Sequence, residues 1–155
     1  MPGPLSTIHA TCVAIGEHGL LLRGPPGCGK SDLALRLIDG GGLLVADDRV
    51  ALDSPGPGRL RATAPPPLAG LLEVRGIGPL RLPFRDHVFL RLAVDLMPAA
   101  GIDRVPLPME AEFLDCRLPL LRLDPATASA PARLRLALAH LDQLPGAHLA
   151  RAAAE

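Results

Sequence analysis

Gly24-Pro25-Pro26-Gly27-Cys28-Gly29-Lys30-Ser31 decides how this chain folds. The stretch has the form G-x-x-x-x-G-K-[ST]. The apolar run Gly19–Arg23 enters it, and Ser31–Asp39 leaves it with Leu33, Ala34, Leu37 and Ile38 at helical spacing until Gly40-Gly41-Gly42 stops the helix. Strand, glycine loop and helix in that order make a phosphate cradle. Triphosphate oxygens must be met by several backbone N–H groups at once, and Gly24, Gly27 and Gly29 permit an approach that a Cβ would block. The start of the helix aims its free N–H groups and the positive end of its dipole at the phosphates. Lys30 supplies a point charge to the β- and γ-phosphates, and Ser31 offers its hydroxyl to Mg2+. Lys30 is the one lysine in the chain; all the other basic residues among 16 are arginine. A compact ammonium thus stands at the one position where a phosphate cradle suits it. The loop implies ATP and Mg2+, with Pro25, Pro26 and Cys28 filling the cradle between the glycines.

Outward from the loop, Thr11–Ile15 and Gly19–Arg23 read as two strands around the turn Gly16-Glu17-His18-Gly19. Leu43–Ala46 is a short buried strand ending at Asp47-Asp48, and Arg49–Asp53 with Leu60–Thr63 bracket Ser54-Pro55-Gly56-Pro57-Gly58 as a hairpin. Leu71–Val74 and Val88–Leu96 read as strands joined by a Gly- and Pro-marked link, Pro98 to Pro108 reads as loop, and Leu120–Leu123 as a last strand. Ser129 is placed to cap a final helix with Pro131 in its first turn, and Leu134, Ala137, Leu138, Leu141 and Leu144 form a stripe for the core. The expected architecture is α/β: a mixed sheet of P-loop kinase type with flanking helices, in one domain over residues 1–155.

Composition sets the outer limits. The 155 residues carry 16 basic and 16 acidic side chains, and a net charge of zero gives no support to nucleic-acid or membrane-surface binding. Hydrophobic residues are 48% of the chain but aromatics only 2%, so the core must be built from Leu, Val and Ala. Cys12, Cys28 and Cys116 are odd in number and without a CxxC pair, which argues against a disulfide framework or a zinc site. Without a signal-peptide pattern or an apolar run near the ~20 residues of a membrane span, the expected location is cytoplasmic.

Phosphoryl transfer also needs a further group at the metal and one to take the acceptor's proton. Asp47 and Asp48 stand at the end of a strand that follows the loop-helix unit, where an open α/β sheet puts its ligand crevice. Strand alternation predicts that one of them faces the phosphate and the other binds structure. In Leu71-Leu72-Glu73-Val74-Arg75-Gly76-Ile77-Gly78, Glu73 and Arg75 share a face if the segment is extended. The carboxylate suits a metal ion and the guanidinium a phosphate, although such a pair is also common as a surface ion pair.

Together, the loop Gly24–Ser31, the run Leu44-Val45-Ala46-Asp47-Asp48 and the stretch Leu72–Gly78 resemble the catalytic domain of the HPr kinase/phosphorylase family, bacterial enzymes that phosphorylate a serine of the phosphocarrier protein HPr. The resemblance runs from about His9 to Leu96, with Ile102-Asp103-Arg104-Val105 as an echo beyond. It implies Asp47 as the catalytic carboxylate that takes the serine proton and returns it in reverse phosphorolysis. It also implies His9 near the phosphates, Arg75 in the active site or at an interface, Ser31 and Glu73 on the divalent metal, and ATP held by Lys30 and the loop. The implied partner is HPr or a nitrogen-system homologue, and the implied assembly is a homo-oligomer, a hexamer. The chain departs from the family pattern in three ways. It has no room for the family's N-terminal domain, its segment Pro79–Arg85 is shorter than the loop that usually follows Gly78, and Leu121–Pro125 stands where a Pro-Gly-Arg-Asn stretch is expected. It looks like the short form found in some proteobacteria.

Three other readings compete. An AAA-type ATPase would need more chain and an Asp-Glu pair. A small-metabolite kinase would need an acceptor pocket and a lid. A non-catalytic regulator would grip ATP without transferring phosphate.

Overall fold

A computed structural model describes residues 6–145; the ends of the domain expected over 1–155 lie outside them. The chain folds as an α/β structure with a mixed sheet, as the sequence predicts. Its strands are β1 (Ser6–Ile8), β2 (Thr11–Ile15), β3 (His18–Arg23), β4 (Leu43–Ala46), β5 (Val50–Gly56), β6 (Arg59–Thr63), β7 (Leu71–Val74), β8 (Gly78–Arg81), β9 (Val88–Leu96), β10 (Glu110–Phe113) and β11 (Cys116–Leu123). The helices are α1 (Lys30–Asp39) and α2 (Ala130–Ala139). The main sheet runs β1-β5-β6-β9-β3-β2-β4, with β10 and β11 attached through β9, while β7 and β8 form a separate hairpin.

At the centre, β3 and β11 both pair with β9 in parallel. All three strands therefore end on one edge, and the phosphate loop leaves from it. Leu20, Leu21 and Leu22 are all fully buried because both faces of β3 are covered. Leu20 and Leu22 pack with Leu33 and Leu37 of α1 and Leu134 and Leu138 of α2. Leu21 packs on the opposite face with Val50, Leu52, Leu60 and Leu118, from the antiparallel strands that curl over it. At the end of β3 and β9, Arg23 donates to Asp95 from Nε at 2.8 Å and from Nη2 at 3.2 Å, a bidentate clamp one residue before Gly24.

The two helices are joined at a terminus. Arg135 of α2 donates to the carbonyls of Leu37 at 3.0 Å and Arg36 at 3.4 Å, as a second donor beside the N–H groups of Gly42 and Gly40 that close the C-terminal end of α1. The stripe of the last helix is core: Leu134, Ala137, Leu138 and Leu141 are buried and Leu144 packs against them. The helix itself stops at Ala139, and Leu141 sits in a following 3-10 turn, Leu141–Gln143. Ser129 takes the N-cap position without a capping hydrogen bond; its Oγ accepts from Arg133 Nε at 2.9 Å.

Three strands depart from the sequence expectation. The link after Val74 turns back as β8, β1 adds to β5, and β10 pairs with a β11 that starts four residues before the expected Leu120. The close contact of β3 with β9 yields a test. A Cβ on Gly19 would lie 2.7 Å from the Phe89 carbonyl oxygen and 2.7 Å from Val88 Cγ1. Gly19→Ala is expected to lower unfolding free energy by about 1–3 kcal/mol, read from urea denaturation midpoints.

Candidate active site

The phosphate loop is curled by the two glycines with left-handed backbone, Gly27 at φ 78° and Gly29 at φ 106°. A side chain there would be strained. Gly24 is closely approached for a different reason: a Cβ on it would stand 2.5 Å from Cys28 Sγ and 3.3 Å from the Leu96 carbonyl oxygen. Lys30, the first residue of α1, is buried, and its ammonium donates to the carbonyls of Gly24 at 2.7 Å and Pro25 at 3.1 Å. The one lysine therefore braces the loop from inside. Cys28 Sγ lies 3.8 Å from the same nitrogen, and Pro25, Pro26 and Gly27 are exposed at the rim.

Asp47 follows β4 and is 7% exposed. Its Oδ1 accepts from the hydroxyls of Ser31 at 2.9 Å and Thr11 at 2.8 Å, and its Oδ2 lies 3.1 Å from Ser31 Oγ. Asp48 is different. It is exposed, its backbone is left-handed at φ 67°, and its Oδ1 lies 3.3 Å from Nδ1 of the exposed His9. The alternation expected of an extended chain stops at Ala46, so both carboxylates border one cavity where the sequence predicts one. His9 and Thr11, two residues apart, each meet one aspartate of the pair.

That cavity, of about 710 Å3, is also lined by Lys30, Ser31, Glu73 and Arg75. Glu73 comes from β7 and Arg75 from the turn between β7 and β8, so the pair reaches the cavity by way of a hairpin and not on one face of a longer strand. β7 lies against α1, and its Leu72 is fully buried. The structure thus brings together His9, Gly27, Gly29, Lys30, Ser31, Asp47, Glu73 and Arg75 around one space. Gly24, Pro25 and Cys28 belong to the loop behind it. The sequence reading missed Thr11, which had passed for a strand residue, and the separate position of Asp48.

Ser31, Asp47 and Glu73 offer hard oxygen donors among the residues that line the cavity. Among the described residues no three His, Cys, Asp or Glu side chains cluster closely enough to hold a metal ion by themselves. This donor set fits Mg2+, which is usually held by one or two carboxylates together with water and substrate phosphates.

A glycine loop, a carboxylate pair and an acidic-basic hairpin thus surround one cavity in an α/β fold. The family model described as HPr Serine kinase C-terminal domain matches residues 3–84, and the chain belongs to this family. It is 38% identical over 119 residues to the HPr kinase/phosphorylase of Burkholderia lata, covering 72% of this chain and 37% of that protein. To the enzyme of the same name from Bordetella petrii it is 39% identical over 108 residues, covering 65% of this chain and 35% of the other. The chain therefore spans little more than a third of the length of these curated relatives. The fold matches that of the HPr(Ser) kinase/phosphatase from Coxiella burnetii with a TM-score of 0.77, at 24% identity, over 86% of this chain and 94% of that one. No helix among the described residues is long and apolar enough to cross a membrane.

The thiols give a check on the loop. Cys12 and Cys116 are buried, and burial pushes the Cys12 thiol well above its usual range, whereas Cys28 is partly exposed. A thiol reagent is expected to modify one cysteine per native chain, identified as Cys28 by peptide mapping, and all three after denaturation. Rapid native labelling of Cys12 would mean that β2 opens readily.

Proposed function

We propose that this chain is an ATP- and Mg2+-dependent protein serine kinase whose acceptor is the phosphocarrier HPr or its nitrogen-system homologue. The observation that carries this reading is the meeting of the phosphate loop, Asp47, Asp48, Glu73 and Arg75 around one cavity in a chain of the HPr serine kinase family. The domain expected over residues 1–155 acts as the catalytic unit.

In this reading the loop amides and Lys30 hold the β- and γ-phosphates, and Arg75 meets the phosphoryl group from the hairpin. Mg2+ would be held by Ser31, Asp47 and Glu73, and when bound it neutralises charge that develops on the phosphate oxygens. The two aspartates divide the remaining work. Asp47, named from the sequence as the proton acceptor, has the Ser31 hydroxyl on its carboxylate, which is the company of an aspartate that serves the metal. Asp48 is solvent-accessible, borders the cavity and has His9 beside it, so the acceptor serine can deliver its proton there. The serine oxygen bonds to the γ-phosphorus, the bond from that phosphorus to the bridging oxygen breaks, ADP leaves, and the serine proton passes to Asp48. In phosphorolysis an oxygen of inorganic phosphate would bond to the phosphoserine phosphorus, passing its proton to Asp48, while the bond to the serine oxygen breaks, that oxygen takes the proton from Asp48, and pyrophosphate leaves. Three cysteines that remain free suit the reducing cytoplasm in which this reaction is placed. A homo-oligomer, a hexamer by family resemblance, would have exposed side chains such as Val105 and Leu107 to cover.

Intact-mass analysis of HPr after incubation with this protein, Mg2+ and ATP is expected to show one added phosphate on a serine. Lys30→Ala should abolish the gain. Asp48→Asn should retain ATP binding and lose transfer by about 100-fold or more, while Asp47→Asn should chiefly raise the Mg2+ requirement. Full transfer by Asp48→Asn, together with loss of transfer at saturating Mg2+ in Asp47→Asn, would give the proton back to Asp47. ATP binding by the unmodified protein without any transfer to a phosphocarrier would favour the regulator.

A further inference from the structure

Thr11 opens β2 and has no solvent exposure at all. It stands one residue beyond the Cys12–Ala46 pair of the β2–β4 ladder, which brings its hydroxyl against the carboxylate of Asp47. The bond is short, 2.8 Å, and it is made to Oδ1, the oxygen that also takes the shorter of the two contacts from Ser31. A valine would fill the same volume without a polar atom, so packing does not account for the hydroxyl. Its hydrogen-bond contact is with the carboxylate.

The geometry fixes a plane. Ser31 has a single hydroxyl proton and lies within reach of both oxygens of Asp47, at 2.9 and 3.1 Å, so alone it would allow the carboxylate to turn. Thr11 adds a second donor on one oxygen only. With two donors on Oδ1, Oδ2 is the oxygen left to serve a cation. Ser31 meanwhile keeps its proton directed at Asp47 and its lone pairs free.

From this we infer that Thr11 is a positioning residue: its hydroxyl sets the Asp47 carboxylate so that Ser31 and Asp47 present oxygens to a divalent cation in one fixed arrangement. The inference rests on the reading of this cavity as a nucleotide and Mg2+ site. Groups that orient metal ligands from behind typically matter by roughly 10–100-fold in metal affinity, and Thr11 stands in that relation to Asp47.

Calorimetric titration of ADP into the whole chain, with and without Mg2+, separates the possibilities. In the unmodified protein Mg2+ should tighten ADP binding. In Thr11→Val the concentration of Mg2+ needed for that gain should rise about tenfold, with metal-free ADP affinity unchanged. Thr11→Ser should restore the gain. Thr11→Cys, a weaker donor, should fall between and covers the case in which the valine variant does not fold. An unaltered Mg2+ dependence in Thr11→Val overturns the inference and leaves the site reading standing. Equal loss of metal-free and Mg2+-dependent binding, or no rescue by serine, makes Thr11 a packing residue and overturns it as well. If the unmodified protein shows no response to Mg2+, the site reading fails and takes the inference with it.

Discussion

One carboxylate holds the site together. Asp47 is nearly enclosed, and a buried charge is costly unless hydrogen-bonded donors surround it. Here the donors come from β2 through Thr11 and from the first turn of α1 through Ser31, while Asp47 itself follows β4. Three separately folded pieces of chain must therefore arrive together before that charge is satisfied. The phosphate loop is framed by the same contact, because Ser31 is its last residue. On the other flank, the bidentate contact of Arg23 with Asp95 fixes the strand ends from which the loop departs.

Local chemistry made the centre of this fold legible. A glycine loop between an apolar run and a helical pattern has few alternatives, so β3, the loop, α1 and β4 followed from the residues alone. What escaped depends on partners distant in sequence. Gly78-Pro79-Leu80-Arg81 has the composition of a connector, and it is a strand because Glu73, Leu72 and Leu71 pair with it; Pro79 is tolerated on so small a hairpin because it need not donate to a further strand. Glu110–Phe113 carries two glutamates and gains its ladder only from β11. Ser6–Ile8 is too short to announce itself and is fixed by β5.

The site shows the same division. Residue types named the phosphate loop, Glu73, Arg75 and the aspartate pair. They did not reveal that Asp48 takes a left-handed backbone, and it is this twist that separates an enclosed carboxylate from an accessible one on the next residue of the chain. Nor did they mark Thr11, since a threonine at the start of a strand has every reason to be there for its β-branched shape. Its hydroxyl becomes informative only once Asp47 is placed against it.

Arg135 carries a consequence for how the molecule can vary. It covers the carbonyls at the end of α1 from a helix about a hundred residues further on, while the opposite end of α1 faces the phosphate cradle. That helix is therefore contacted at both ends, at one of them by α2. A shortened descendant that lost α2 would keep every residue of its nucleotide motif and still spell it correctly. It would have surrendered the far bearing on which the motif's axis turns. In this architecture the motif is inherited as a word, but its aim is inherited only with the whole.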